Sequence, residues 1–135
     1  MKRYIFLIFV SVVTFFSFSF NSESASAAYY CNGASDCRQA SMTYGQNIAA
    51  FSSQLYLSAG ETVKYDWENN PPGIMQVGFA VYKGGTRVSK ELLAVGRVGE
   101  NFGFYTAPTS RYYYLGALCE GGNDKRCQGG GTIRK

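Results

Sequence analysis

The 135-residue chain contains no histidine. That absence removes the usual Ser-His-Asp and Cys-His catalytic arrangements, along with the commonest protein ligand of metals. Charge is scarce as well: Asp, Glu, Lys and Arg make up 16% of the residues, and the formal net charge is +4. So weak and scattered a positive charge argues against a nucleic-acid partner, which calls for a basic patch or stripe. No close C-x-x-C pair occurs, so the four cysteines do not follow a zinc pattern. The glycine runs at Gly84-Gly85, Gly121-Gly122 and Gly129 to Gly131 lack the Lys-Ser/Thr context of a phosphate loop and read as turns and a tail. No segment carries a helical repeat of apolar residues, which leaves strands as the building material.

What is present starts with a compartment. Lys2 and Arg3 precede an apolar run from Tyr4 to Phe20, and a polar stretch then ends in Ala25-Ser26-Ala27. A basic end, an apolar core and small residues at a cleavage site make a secretory signal peptide, with the cut expected after Ala27. A membrane anchor is the rival reading of the same run, but Ala-x-Ala favours cleavage and leaves no stable anchor behind. Removing Lys2, Arg3 and Glu23 with the signal lowers the net charge to +3. The expected location is extracellular.

Cys31, Cys37, Cys119 and Cys127 all follow the cut. An even number of cysteines in an oxidising compartment predicts two disulfides. Local pairing, Cys31 with Cys37 and Cys119 with Cys127, is favoured because each pair flanks a loop of turn-forming residues. The competing pattern joins the first region to the C-terminal hairpin, as would follow if the N-terminal segment paired with the last strand.

Residues 28–50 show little regular pattern and read as an irregular segment stapled by the first disulfide. From Phe51 the period is two. Phe51, Leu55 and Leu57 share a face, as do Val63, Tyr65 and Trp67, and then Met75, Val77, Phe79 and Val81. Alternation of this kind marks half-buried antiparallel strands. Glu68 to Gly73, with Pro71-Pro72, breaks the ladder. Ser89 to Ala94 fits one short helical turn, whereas Arg87-Val88 and Val95 to Val98 suit strands separated by Gly96. Phe102 and Phe104 alternate with Gly103 and Tyr105. Arg111 to Cys119 is apolar on both faces, as a central strand is. Gly129 to Gly131 is expected to be loose, with Thr132-Ile133 as a final edge strand. The expected architecture over residues 51–135 is an all-β, small disulfide-stapled, jelly-roll-like β-sandwich.

Leu55-Tyr-Leu-Ser-Ala-Gly-Glu-Thr-Val63, the strand ending Val-Tyr-Lys-Gly-Gly85, and Ala107-Pro-Thr-Ser-Arg-Tyr-Tyr-Tyr-Leu115 follow in that order. Together they resemble the pre-peptidase C-terminal-type sandwich appended to secreted bacterial peptidases. The resemblance implies an accessory β-domain and transfers no active site. A signal peptide followed by a short Tyr- and Gly-rich domain is also similar to small secreted proteins of bacilli.

For chemistry, Asp66 and Glu68 sit two apart at a strand end, where a glycosidase pair or, with Asn69 and Asn70, calcium ligands would sit. A turn is the simpler reading, and neither a catalytic residue, a metal nor a cofactor is expected. If the apolar rows face inward, Tyr56, Tyr82, Tyr105, Tyr112 and Tyr114 face outward. Outward tyrosines on neighbouring strands make a platform able to stack on sugars or dock a protein. Against this, Tyr suits strands on its own account. The expected function is a non-catalytic binding or accessory domain acting on cell-wall glycan or an extracellular protein. A bacteriocin-like antagonist is the alternative, prompted by small size, positive charge and disulfides.

Overall fold

A computed structural model describes residues 31–73 and 75–135 of the chain. The expected signal segment and its cleavage site lie outside those residues. Ten strands follow one another: β1 (Cys37–Met42), β2 (Ala49–Phe51), β3 (Leu55–Leu57), β4 (Thr62–Asn69), β5 (Val77–Lys83), β6 (Thr86–Arg87), β7 (Leu92–Ala94), β8 (Glu100–Thr106), β9 (Arg111–Cys119) and β10 (Gly129–Arg134). A 3-10 turn at Glu120–Gly122 follows β9. The fold is all-β, as the period-two pattern predicts.

The long alternating segments supply the middles of two antiparallel sheets. β4 pairs with β8 on one side and β10 on the other, and β1 completes that sheet in the order β1-β10-β4-β8. In the second sheet β9 lies beside β5. Both outer flanks are built from broken strands: β2 and β3 pair in succession with β9, and β6 and β7 pair in succession with β5. A serine bridges each break. Ser52 Oγ accepts the Leu115 amide at 2.9 Å, and Ser89 Oγ accepts the Val81 amide at 2.8 Å. Side-chain oxygens thus replace the ladder acceptors that the kinked strands withdraw.

Between the sheets lie Trp67, Tyr113, Phe79, Met42, Leu57, Leu115 and Ile133, all fully buried. Burying each such side chain is worth about 1.5–3 kcal/mol. Asn69 is the polar member of this interior. Its Oδ1 accepts the Trp67 indole N–H at 3.1 Å, while its Nδ2 donates to the carbonyls of Ala94 (2.8 Å) and Gly96 (2.9 Å). Every polar atom of that side chain is matched, so it ties β4 to the β7 end without a desolvation penalty.

Four expectations need correction. Residues 28–50 are not irregular throughout, because β1 and β2 lie there. β1 alternates weakly in hydrophobicity, but Ala40 and Met42 are buried and its backbone pairs along all of β10. The glycines at 129–131 are not loose, and β10 is no edge strand, since it runs between β1 and β4. Gly131 is needed for closeness: a Cβ there would overlap the Asp66 carbonyl oxygen and lie 2.8 Å from Trp67 Cε3. Residues 89–94 hold no helical turn; Leu92–Ala94 is strand, and Val95 to Val98 turn rather than continue as strand.

The fourth correction concerns facing. Phe51, Phe102 and Phe104 point outward, at 55%, 56% and 65% exposure, and Tyr105 packs against the core. In β8 the inner space opposite Gly103 is already taken, by the Tyr65 phenol and by Leu92 Cδ1. Tyr65 is fixed there because its hydroxyl donates to the Lys90 carbonyl at 2.8 Å. The phenylalanines therefore take the outer face, where the Lys64 ammonium sits 4.8 Å from the Phe102 ring centroid.

Candidate functional site: an aromatic sheet face

β9 supplies the spine of the site. Its inward residues Tyr113, Leu115 and Ala117 are buried, so its period of two sends Tyr112 and Tyr114 to the outer face. Register then brings other aromatics alongside them. Tyr56 of β3 lies opposite Tyr112, and Tyr82 of β5 lies opposite Tyr114. The Tyr56 and Tyr112 rings meet edge to face at 5.2 Å, and those of Tyr82 and Tyr114 stack at 5.8 Å. Phe51 of β2 meets both Tyr82 and Tyr114 at 6.0 Å. These separations are those at which aromatic pairs attract, by about 0.5–1.5 kcal/mol each.

Gly116 is what lets the second cluster lie flat. A Cβ there would be 2.5 Å from Tyr82 Cε2 and 2.9 Å from Phe51 Cε1, so the two rings occupy the place of a side chain. Tyr114 is held from its other end, since its hydroxyl accepts the Gly85 amide at 3.0 Å. Burial pushes the Tyr82 hydroxyl above its ordinary pKa of 10.0, and the nearby Glu91 carboxylate adds to the shift. Tyr82 and Tyr114 thus form a partly buried base, while Tyr112 (57% exposed) and Tyr56 (46%) stand open to solvent. An open groove of about 510 Å³ adjoins the open pair, lined by Gln54, Lys83, Gly84, Arg111 and Tyr112.

Four of the five tyrosines expected on the outer surface therefore share one face: Tyr56, Tyr82, Tyr112 and Tyr114. Tyr105 does not. It lies on the other sheet, its ring 5.8 Å from that of Tyr113 inside the sandwich, and burial raises its pKa. Phe51 belongs to the face, whereas period two places it in the core because it stands four positions before Leu55. The signal against that assignment was Ser52-Ser53, where the strand breaks.

No family model matches the chain, and no curated protein matches it either.

The cysteines pair locally. Cys31–Cys37 has a Cα separation of 5.3 Å and Cys119–Cys127 one of 5.7 Å. The N-terminal segment does pair with the last strand, yet the cross-linking pattern tied to that event does not follow. On β1, Cys37 lies opposite Arg134, which offers no sulfur.

Asp66 and Glu68 occupy the outer face of the other sheet, each in a different setting. Asp66 Oδ1 accepts the Thr132 amide and hydroxyl at 2.8 and 2.9 Å, and its Oδ2 binds Arg134 at 3.0 Å. Glu68 is buried, and its Oε2 has no hydrogen-bond partner. Burial pushes its carboxyl above the ordinary value of 4.5, and Glu100 on the neighbouring strand reinforces the shift. Asn69, the third expected calcium ligand, spends its oxygen on Trp67. Among the described residues no group of three or more His, Cys, Asp or Glu is placed to hold a metal ion, and no helix is long and apolar enough to cross a membrane.

Proposed function

We propose that this protein is a secreted, non-catalytic binding domain that engages glycan at the cell surface through its aromatic sheet face. The observation that carries the reading is the exposed Tyr56–Tyr112 pair standing beside an open groove on a rigid three-strand base. Sugars present C–H faces that stack on such rings, with hydroxyls left over for polar groups at the rim. Aromatic pairs also stabilise exposed sheets with no ligand involved, so the test must separate binding from folding. The pre-peptidase-like strand pattern supports an accessory rather than a catalytic role.

The experiment is retention on purified bacterial cell wall. Wild-type protein should be retained. Tyr56→Ala combined with Tyr112→Ala should lower retention at least tenfold while Tm moves by only a few degrees, because both rings are solvent-exposed. Undiminished retention by the double variant would refute the reading. Killing of neighbouring bacteria by the purified protein, unchanged in that variant, would favour the antagonistic alternative instead.

A further inference from the structure

The groove beside Tyr112 carries two cations and no carboxylate among its lining residues. Lys83 closes β5 and Arg111 opens β9, so the β5–β6 turn at Gly84 and the start of the spine strand bring them to one rim. Among the described residues the basic side chains in ion pairs are Arg87, Arg126, Arg134 and Lys135, with Glu91, Asp124, Asp66 and Glu61. Neither Lys83 nor Arg111 is among them. Gln54 lines the same groove with its amide uncommitted, while its backbone carbonyl is fixed by the Arg38 guanidinium at 3.0 Å.

The four paired cations are held by carboxylates: Asp124 beside Arg126 is held down to about 2, and Asp66 is satisfied by Arg134. Two unmatched cations sharing a groove with an exposed aromatic pair form a different kind of surface. From this we infer that the glycan is acidic: a polysaccharide whose sugar ring stacks on Tyr112 while its carboxylate or phosphodiester lies between Lys83 and Arg111. The guanidinium is a planar fork suited to either anion, and the ammonium is a mobile point charge that completes the pair. The Gln54 amide offers both a donor and an acceptor to a ring hydroxyl. Nucleic acid would satisfy stacking and charge as well, but the +4 net charge of the chain is not gathered into a stripe that tracks a phosphate backbone.

This inference rests on the glycan reading of the aromatic face, and one titration series separates the two. Binding is measured calorimetrically at low salt to polygalacturonate, to polyglycerol phosphate, to neutral dextran and to single-stranded DNA. Wild-type protein should bind at least one acidic polysaccharide, at least tenfold more tightly than dextran and DNA, with affinity falling as salt rises. Lys83→Gln with Arg111→Gln should erase that tenfold preference and leave Tm unchanged, because neither side chain supports the core. Equal affinity for dextran and the acidic polymers in the wild type, or a preference surviving in the double variant, would overturn the inference while leaving glycan binding intact. DNA binding as tight as that of the acidic polymers would overturn it too. Failure to bind any polysaccharide, together with cell-wall retention indifferent to Tyr56→Ala and Tyr112→Ala, would remove the glycan reading itself.

Discussion

Gly131→Ala and Gly130→Ala, one residue apart in β10, should have opposite outcomes. At Gly131 the added methyl group points into the sandwich, onto the Asp66 carbonyl oxygen and 2.8 Å from Trp67 Cε3. Neither neighbour can retreat: Trp67 is fully buried, and β10 is hydrogen-bonded to β1 and β4 on its two sides. Overpacking of this kind costs about 1–3 kcal/mol, and contact with backbone places it at the upper end. Alanine recovers about 0.4–1 kcal/mol by restricting the unfolded chain, leaving a net loss of about 2 kcal/mol. For a domain of this size that lowers Tm by about 8–16 °C. At Gly130 the methyl group points the other way, with Ala40 O at 3.3 Å and Ser41 Cβ at 4.0 Å. There the entropy gain roughly cancels the mild crowding, and Tm should hold or rise slightly. Differential scanning calorimetry on the two variants reads the contrast directly. Equal Tm values would mean that the glycine run lies outside the sheet, and the register argument would be refuted.

Replacing Cys119 and Cys127 by serine together should cost about 2–3 kcal/mol, the loop-closure value for so short a bridge, and non-reducing peptide mapping of the wild type should recover only the two local pairs. Glu68→Gln should change stability in a pH-dependent way. Because the folded-state pKa of Glu68 is raised, protonation favours the native state below about the ordinary 4.5, and that benefit is lost as pH rises through the folded value. The variant should therefore melt higher than wild type at pH 7 and lose its advantage near pH 4; a gap constant with pH would contradict the burial and Glu100 explanation. Protein recovered from culture medium should begin at Ala28 on N-terminal sequencing, whereas a membrane-bound form retaining Met1 would rule out the signal-peptide reading.

The parts of the fold visible in the sequence were those where alternation ran unbroken. Val63, Tyr65 and Trp67 sit in a long strand whose two faces differ in polarity, and their inward facing follows from period two alone. β8 defeats the same logic because both of its faces carry aromatics. Its choice is made by Gly103, whose meaning depends on Tyr65 and Leu92 reaching in from elsewhere in the chain. β10 was hidden for a related reason: glycine has low strand propensity, and only the close approach of the Asp66 backbone and the Trp67 indole explains why Gly131 must be empty of a side chain. The candidate site was legible where it lay on β3, β5 and β9. Phe51 was missed because Ser52 bends the chain, and Tyr105 was misplaced together with β8. Lys83 and Arg111 stand 28 positions apart in the chain, and only the tertiary fold brings them to one groove.

The position of β10 also sets an order of events for the growing chain. β1 is the first described strand to emerge from a ribosome or an export channel, but its partner is the last. Until Gly129 to Arg134 arrive, β1 has no ladder to join, and β4 presents an open side beside Trp67. The second sheet has no such delay, because β2, β3, β5, β6, β7 and β9 are all made before the final disulfide can close. Half of the sandwich can thus assemble early, whereas the other half stays open until one glycine-rich strand slides into a waiting slot.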